Sequence, residues 1–230
     1  MYTCFVMKLL DCDKYIVERA VIEDTVRFEN AEVVVDEPYA SVIRSGSWYK
    51  CVFRDARDYK DYKKYGINGN VCLLGAPEMD RYGCFTFAYL NPMPPLPEVN
   101  ADVEIKRLAP SLAGTVLAAY HNGESGYTLE RMEELMRDKG VFGAIVDGKL
   151  AGFIGRHGDG SMGMLEVFEP FRRRGLAARL EKFLMTYVMT FGRVPKCDVY
   201  TDNTASMALQ NKLGLTRGVG YTYWIDEDEE

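Results

Sequence analysis

The sequence predicts an α/β protein in which a mixed, mostly antiparallel sheet is flanked by helices. Short apolar runs of strand length recur along the chain, other stretches repeat apolar residues at helical spacing, and a proline-dense segment divides the chain in two. At 230 residues, 47% apolar and 27% charged, there is material for one large domain or two small packed ones. A net charge of -6 argues against nucleic acid as the main ligand, because phosphate binding draws on a broad basic surface. Small molecules come first as candidate ligands.

The divider is Asn91 to Asn100, N-P-M-P-P-L-P-E-V-N, which holds four of the nine prolines. Proline fixes φ and lacks an amide donor, so neither a helix nor a central strand runs through it. The expected units are 1–95, a β-rich α/β domain, and 100–230. In the first, A-E-V-V-V-D, W-Y-K-C-V-F, V-C-L-L and G-C-F-T-F-A-Y-L read as strands and Ala56 to Tyr65 as a helix. In the second, a strand over Val103 to Leu108 precedes a helix from Pro110 to Tyr120. Thr128 caps a further helix with Leu129, Met132, Leu135 and Met136 on one face, and Gly140 ends it. Asp147-Gly148 between two apolar runs predicts a hairpin. The strand S-M-G-M-L-E-V-F leads to an arginine run and a helix carrying Leu176, Leu180, Phe183, Leu184, Tyr187 and Val188. The strand K-C-D-V-Y-T, a helix over Thr204 to Leu213 and the strand G-Y-T-Y-W-I follow, and the acidic tail D-E-D-E-E reads as solvated.

Cys4, Cys12, Cys51, Cys72, Cys84 and Cys197 form no C-x-x-C pair, and the histidines are His121 and His157. The pattern argues against a zinc site and for reduced core cysteines in a cytoplasmic protein. The first ten residues lack the make-up of a signal peptide, and no apolar run approaches the roughly 20 residues that span a bilayer. A soluble protein is expected.

The chemistry concentrates at V-F-E-P-F-R-R-R-G-L-A, where strand, turn and helix meet. A helix opening there aims free amides and the positive end of its dipole at one point, which suits a pyrophosphate. Gly175 lets backbone approach that phosphate, and Arg172, Arg173 and Arg174 add a positive island to an acidic protein. Arg172, Gly175 and Ala177 stand in the spacing R-x-x-G-x-G/A, which resembles the acyl-CoA signature of the GNAT (GCN5-related N-acetyltransferase) family. Downstream, D-N-T-A-S-M-A-L-Q-N-K-L-G-L resembles the family's later element, with Asn203 and Ser206 at its asparagine and small residue and Lys212 to Leu215 at its end. With S-M-G-M-L-E-V, the pair is most similar to the FR47-like or glycine-acyltransferase-like branch, over Val103 to Ile225. Gly158, Gly160 and Gly163 also fit G-x-G-x-x-G, but a strand-like run follows them rather than a helix, so they read as a tight hairpin.

The resemblance implies the GNAT fold and an N-acyltransferase using acetyl-CoA, with a small-molecule amine or amino acid as acceptor and a homodimer as a possible assembly. It implies that Met164 to Val167 splays from Cys197 to Thr201, so that pantetheine pairs with backbone near Leu165 and Val167. Leu165, Val167, Arg172, Arg173, Arg174, Gly175, Leu176, Ala177, Asn203 and Ser206 become the cofactor-binding set, with the amide near Val167 as oxyanion donor. Attack needs a neutral amine, hence a base, since an alkyl amine titrates near ~10.4. Candidates are Glu166, His157 and Glu124; the place where glycine-acyltransferase relatives carry their base falls on Ser161. The family's thiolate-protonating tyrosine falls on Gln210, which leaves Tyr200, Tyr221 and Tyr223 as substitutes. A CoA-binding sensor that has lost catalysis is the alternative. The first half is read either as a degenerate copy of the fold or as a dimerisation domain.

Overall fold

The computed structural model describes residues 8–10, 13–96, 102–120 and 127–227. It divides into two compact units: residues up to Leu90 joined by Lys196 onward, and Asn91–Pro195 between them. The division at 90/91 meets the proline-dense segment, but residues 196–230 return to the first unit, where the sequence assigned all of 100–230 to the second. Hydrogen bonding along the sheet is the reason.

In the first unit α1 (Ile16–Phe28) precedes β1 (Glu32–Glu37), β2 (Ala40–Ser45), β3 (Trp48–Phe53), β4 (Asn70–Ala76) and β5 (Cys84–Ala88). The second unit holds β6 (Glu104–Arg107), α2 (Ala113–Ala119), α3 (Leu129–Asp138), β7 (Val141–Val146), β8 (Lys149–Arg156), β9 (Met162–Val167) and α4 (Leu176–Thr190). The chain then supplies the first unit with β10 (Lys196–Tyr200), α5 (Thr204–Leu213), β11 (Thr216–Arg217) and β12 (Tyr221–Ile225). The first sheet runs β1-β2-β3-β4-β12-β5-β10, with β11 also on β5. Its pairs are antiparallel except β3 with β4. β12 thus sits between β4 and β5.

Strand alternation gives this sheet two apolar faces. Ile43, Val52, Cys72 and Leu74 pack with Val21 and Ile22 of α1. Val42, Cys51, Phe53 and Leu73 pack with Tyr59 and Tyr62. α1 carries no clear signal in the sequence because it is rich in β-branched residues, which lower helix propensity; packing of Val21 and Ile22 holds it instead. The helix expected over Ala56 to Tyr65 is turns and a short 3₁₀ segment, Tyr62–Tyr65. Aspartates there bond locally: Asp55 accepts from the Arg57 amide at 2.9 Å, and Asp58 accepts from Tyr65 Oη at 2.8 Å and from Lys64. Tyr59 Oη donates to Leu74 O at 2.8 Å and accepts the Phe53 amide at 3.0 Å, which pins the segment to the sheet.

Buried polar groups tie the returning segment to α1. Lys196 Nζ lies 3.3 Å from Asp24 Oδ2, both side chains almost wholly buried, and Glu18 Oε1 accepts the Val219 amide at 2.8 Å. Cys51, Cys72, Cys84 and Cys197 are buried thiols not joined in disulfides, and burial pushes those of Cys51 and Cys84 upward. Among the described residues no helix is long and apolar enough to cross a membrane, and no cluster could hold a metal ion.

Burial raises the pKa of Glu18, against the opposing pull of the Val219 amide. The native state therefore holds this proton more tightly than the unfolded chain does. The associated stability is fully present below the ordinary carboxylate range, about 4.3, and is lost as pH rises through the folded value. Melting temperatures taken from acid to neutral pH should fall less for Glu18→Gln than for the parent; identical pH dependence would show that Glu18 does not titrate on unfolding.

Candidate functional site

The second unit is a four-stranded antiparallel sheet, β6-β7-β8-β9. Asp147 and Gly148 both have positive φ, 50° and 74°, as a two-residue hairpin between β7 and β8 requires. Val141 belongs to the cluster formed with Ala113 and Val116 of α2 and Met132 and Met136 of α3. The ring of its neighbour Phe142 meets Phe183 and Tyr187 of α4 at 5.0 and 4.8 Å. Adjacent strand residues point to opposite faces, so α2 and α3 cover one face and α4 the other.

β9 ends the sheet, which leaves one side of its backbone as an edge. Its ladder with β8 slips between Gly155↔Gly163 and Phe153↔Glu166, so Met164 and Leu165 together oppose Ile154. Met164 has φ 51°. This is a β-bulge, a device that twists a strand and re-aims its groups. Past it, the Phe168 amide donates to Ala151 O at 2.9 Å, toward β8. Neighbouring amides alternate, so Val167 turns its N–H and C=O to the edge. In keeping with that, Val167 O accepts Arg172 Nε at 2.8 Å.

Arg172 also donates through Nη2 to Glu166 Oε1 at 3.2 Å, so its guanidinium clamps the turn to the end of β9. Beyond it, Arg173 adopts φ 65° and Gly175, at the start of α4, φ 77°. Gly175 in the left-handed region, followed by the helical Leu176, turns successive amides toward one point, a nest for anions. Leu176 is buried against Val146 and Ala151, which seats the helix start and leaves its amide end outward. A Cβ on Gly175 would meet nothing within 4 Å, so the space before the helix is open. Arg173 and Arg174 are exposed beside it, Arg174 over the Phe171 ring at 5.6 Å. Leu165 and Ala177 are half-buried.

The remaining candidates separate. The carboxylate of Glu166 is engaged by Arg172. His157 Nδ1 lies 2.8 Å from Tyr127 Oη, a partner the sequence did not single out. Ser161 donates from its amide and hydroxyl to Asp159 Oδ1, at 3.1 and 2.6 Å, inside the turn between β8 and β9. That turn, closed by Gly160 at φ 80°, accounts for the glycines of G-D-G-S-M-G. Glu124 and His121 lie outside the described residues. In the first unit Asn203 caps α5: its Oδ1 accepts the Ser206 amide at 3.0 Å. Gln210 is buried, and its side-chain oxygen has no hydrogen-bond partner among the described residues. Tyr200, on the edge strand β10, is 44% exposed and stacked on Tyr82 at 4.9 Å, its pKa raised by burial. Tyr223 is core, accepting the Met79 amide at 2.8 Å, and Tyr221 stacks on it.

Residues 140–225 match the family model described as FR47-like protein. No curated protein sequence matches the chain. Solved structures of similar fold include a Drosophila protein, with 18% identity, a TM-score of 0.57, and 88% of this chain and 76% of that one covered. A putative acetyltransferase of the GNAT family from Novosphingobium aromaticivorans gives 15%, 0.53, and 92% and 96%. A GCN5-related N-acetyltransferase from Kribbella flavida gives 13%, 0.53, and 93% and 95%. The mixed α/β architecture with its mostly antiparallel sheet is theirs.

The Asn203 cap supplies a stability test. Asn203→Ala removes the acceptor for one free amide of α5 and should cost about 1 kcal/mol in denaturant unfolding, and Asn203→Asp much less. A destabilisation near zero would mean that the cap contributes nothing.

Proposed function

We propose that this chain, an FR47-like member of the GNAT family, is an N-acyltransferase that moves an acetyl group from acetyl-CoA to the amine of a small molecule or amino acid. The observation that carries the reading is the turn from Arg172 to Gly175. Two residues of positive φ open a 15-residue helix onto open space, with two exposed arginines alongside. Amide donors, helix dipole and guanidinium charge all favour a pyrophosphate there. Leu176 and Ala177 would lend their amides, and Gly175 its lack of a side chain. Arg172 acts by holding the turn to β9, and Arg173 and Arg174 supply charge. A CoA thioester bound there brings an acyl carbon activated toward amines.

The chain's own groups then have defined tasks. The outward backbone of β9 near Leu165 and Val167 can pair with an extended amide-bearing ligand, as edge strands do. The Val167 amide is the donor available to a developing oxyanion. Buried, reduced cysteines accord with a cytoplasmic setting. Burial of Gln210, where the family carries its tyrosine, favours a second reading, a CoA-binding sensor.

CoA in excess should raise the melting temperature, increasingly with concentration, by binding the folded state preferentially. Thiol release from acetyl-CoA with a panel of primary amines and amino acids separates the two readings, since binding without release is the sensor's signature. Gly175→Ala tests the turn. Forcing a Cβ into left-handed backbone costs roughly 1–2 kcal/mol, so the variant should fold with a lowered melting point and lose its CoA-induced shift. Gly175→Val should be worse on both counts, since β-branching adds to the strain. A folded Gly175→Ala protein with the parental CoA shift would show that this turn does not cradle the ligand.

A further inference from the structure

The four-stranded sheet of the second unit has two ends. β9 is one and leads into the anion-cradling turn; β6 is the other, and among the described residues it pairs with β7 alone. The Leu108 amide, just past β6, donates to Val141 O of β7 at 2.8 Å. Backbone groups alternate along an antiparallel ladder, so Lys106 and Glu104 also face β7, while Arg107, Ile105 and Val103 turn their N–H and C=O outward. Beside that open edge runs a groove of about 330 Å³, with Val103 and Ile105 on one wall and Phe183 and Tyr187 of α4 on the other. Phe191, just past α4, is 54% exposed and extends the apolar surface from Tyr187, its ring 5.1 Å away. An open strand edge beside an apolar groove fits an extended polypeptide, whose backbone serves the edge and whose side chains fill the groove.

We propose that the occupant is a second copy of this chain, its β6 laid antiparallel against the first about a twofold axis normal to the sheet. Such an axis keeps the α4 side of one copy on the α4 side of the other, so Ile105, which faces α4, must oppose a residue that also faces α4. The axis then passes through residue 104, 105 or 106. Centred on Glu104 it sets two carboxylates face to face, and centred on Lys106 two ammonium groups, each arrangement unfavourable. Centred on Ile105 it sets Glu104 of each copy opposite Lys106 of the other, on the face away from α4, and Ile105 against its own counterpart. The outward backbone groups meet in the same register: Ile105 with Ile105, and Val103 with Arg107, exchange both their N–H···O bonds. Charges on an edge strand ordinarily repel a partner, but here both signs are present at the spacing the twofold needs. Glu104 and Lys106 pair at 3.5 Å within the strand, both side chains more than half exposed, so exchanging partners across the axis costs little. The axis also lays the two α4 helices antiparallel, so Arg179 and Lys182, toward the start of α4 in each groove, fall at opposite ends of the joint. β9 and the turn at Gly175 lie at the far end of the sheet, so the joint stands or falls independently of the acyltransferase reading.

Sedimentation velocity of the full chain across a concentration series tests the joint, with charge changes at positions exposed enough to leave the melting temperature near the parent's. The parent should sediment with the mass of two chains at high concentration and dissociate on dilution. Lys106→Glu opposes carboxylates at both symmetric positions and should weaken the dimer by about tenfold or more; Glu104→Lys opposes ammonium groups and should do the same. An equimolar mixture of the two single variants should dimerise at least as well as the parent, because every opposed pair across the axis is then of opposite sign. Neither variant has an attractive pair within its own strand, so that recovery reports pairing between chains alone. A parent that stays monomeric at the highest concentration, or grows beyond two chains, would overturn the proposal. So would a dimer indifferent to both single variants, or a mixture that associates no better than either variant by itself.

Discussion

Every ladder partner of β5 among the described residues, β10, β11 and β12, comes from beyond residue 195. β4 likewise has β12 on the side away from β3. Residues up to Leu90 therefore cannot complete their own sheet, and the whole second unit is an excursion between two parts of the first. The closure is reinforced where it is most buried, by Lys196 with Asp24 and by the Val219 amide on Glu18. Removing one member of such a pair leaves a charge in the core, at a cost of several kcal/mol. Sheet pairing between residues more than a hundred apart also makes slow folding the expectation.

The second unit concentrates its unusual backbone at one strand. Met164 at the bulge and Arg173 in the turn are non-glycine residues at positive φ, a conformation that side chains disfavour. Arg172 compensates by bonding back to Val167 and Glu166, which fixes the end of β9 against the start of α4. The same contacts occupy the Glu166 carboxylate. A residue that looks like a base from its place in the strand is, in three dimensions, part of the clamp that shapes the turn.

Legibility in the sequence followed the range of the forces involved. Local rules located the Asp147-Gly148 hairpin, the Thr128 cap, whose Oγ1 accepts the Arg131 amide at 3.2 Å, and the helix opening at Gly175. They failed where distant packing decides: α1 is held by the sheet beneath it, and Ala56 to Tyr65 is diverted by its aspartates and by Tyr59 reaching Leu74. The return of residues 196–230 has no local signature at all. Within the site, the arginine–glycine turn was readable because spacing along one segment builds it. The bulge at Met164 was not, since it depends on register with β8, and neither was Tyr127, since nothing in residues 120s and 150s announces that they meet.

Proton transfer narrows by the same reasoning. Under the acyltransferase reading an amine acceptor would need a group that takes a proton near neutrality, and most of the side chains expected to do so near β9 are engaged elsewhere. Carboxylates are spoken for: Glu166 by Arg172, and Asp159 by Ser161. Phenols are unsuited to giving protons up, because burial raises Tyr127, Tyr200 and Tyr223. The His157 ring is engaged at Nδ1 by the Tyr127 hydroxyl, which burial keeps protonated, so the orientation of that ring is set by a residue just before α3 rather than by its own strand neighbours.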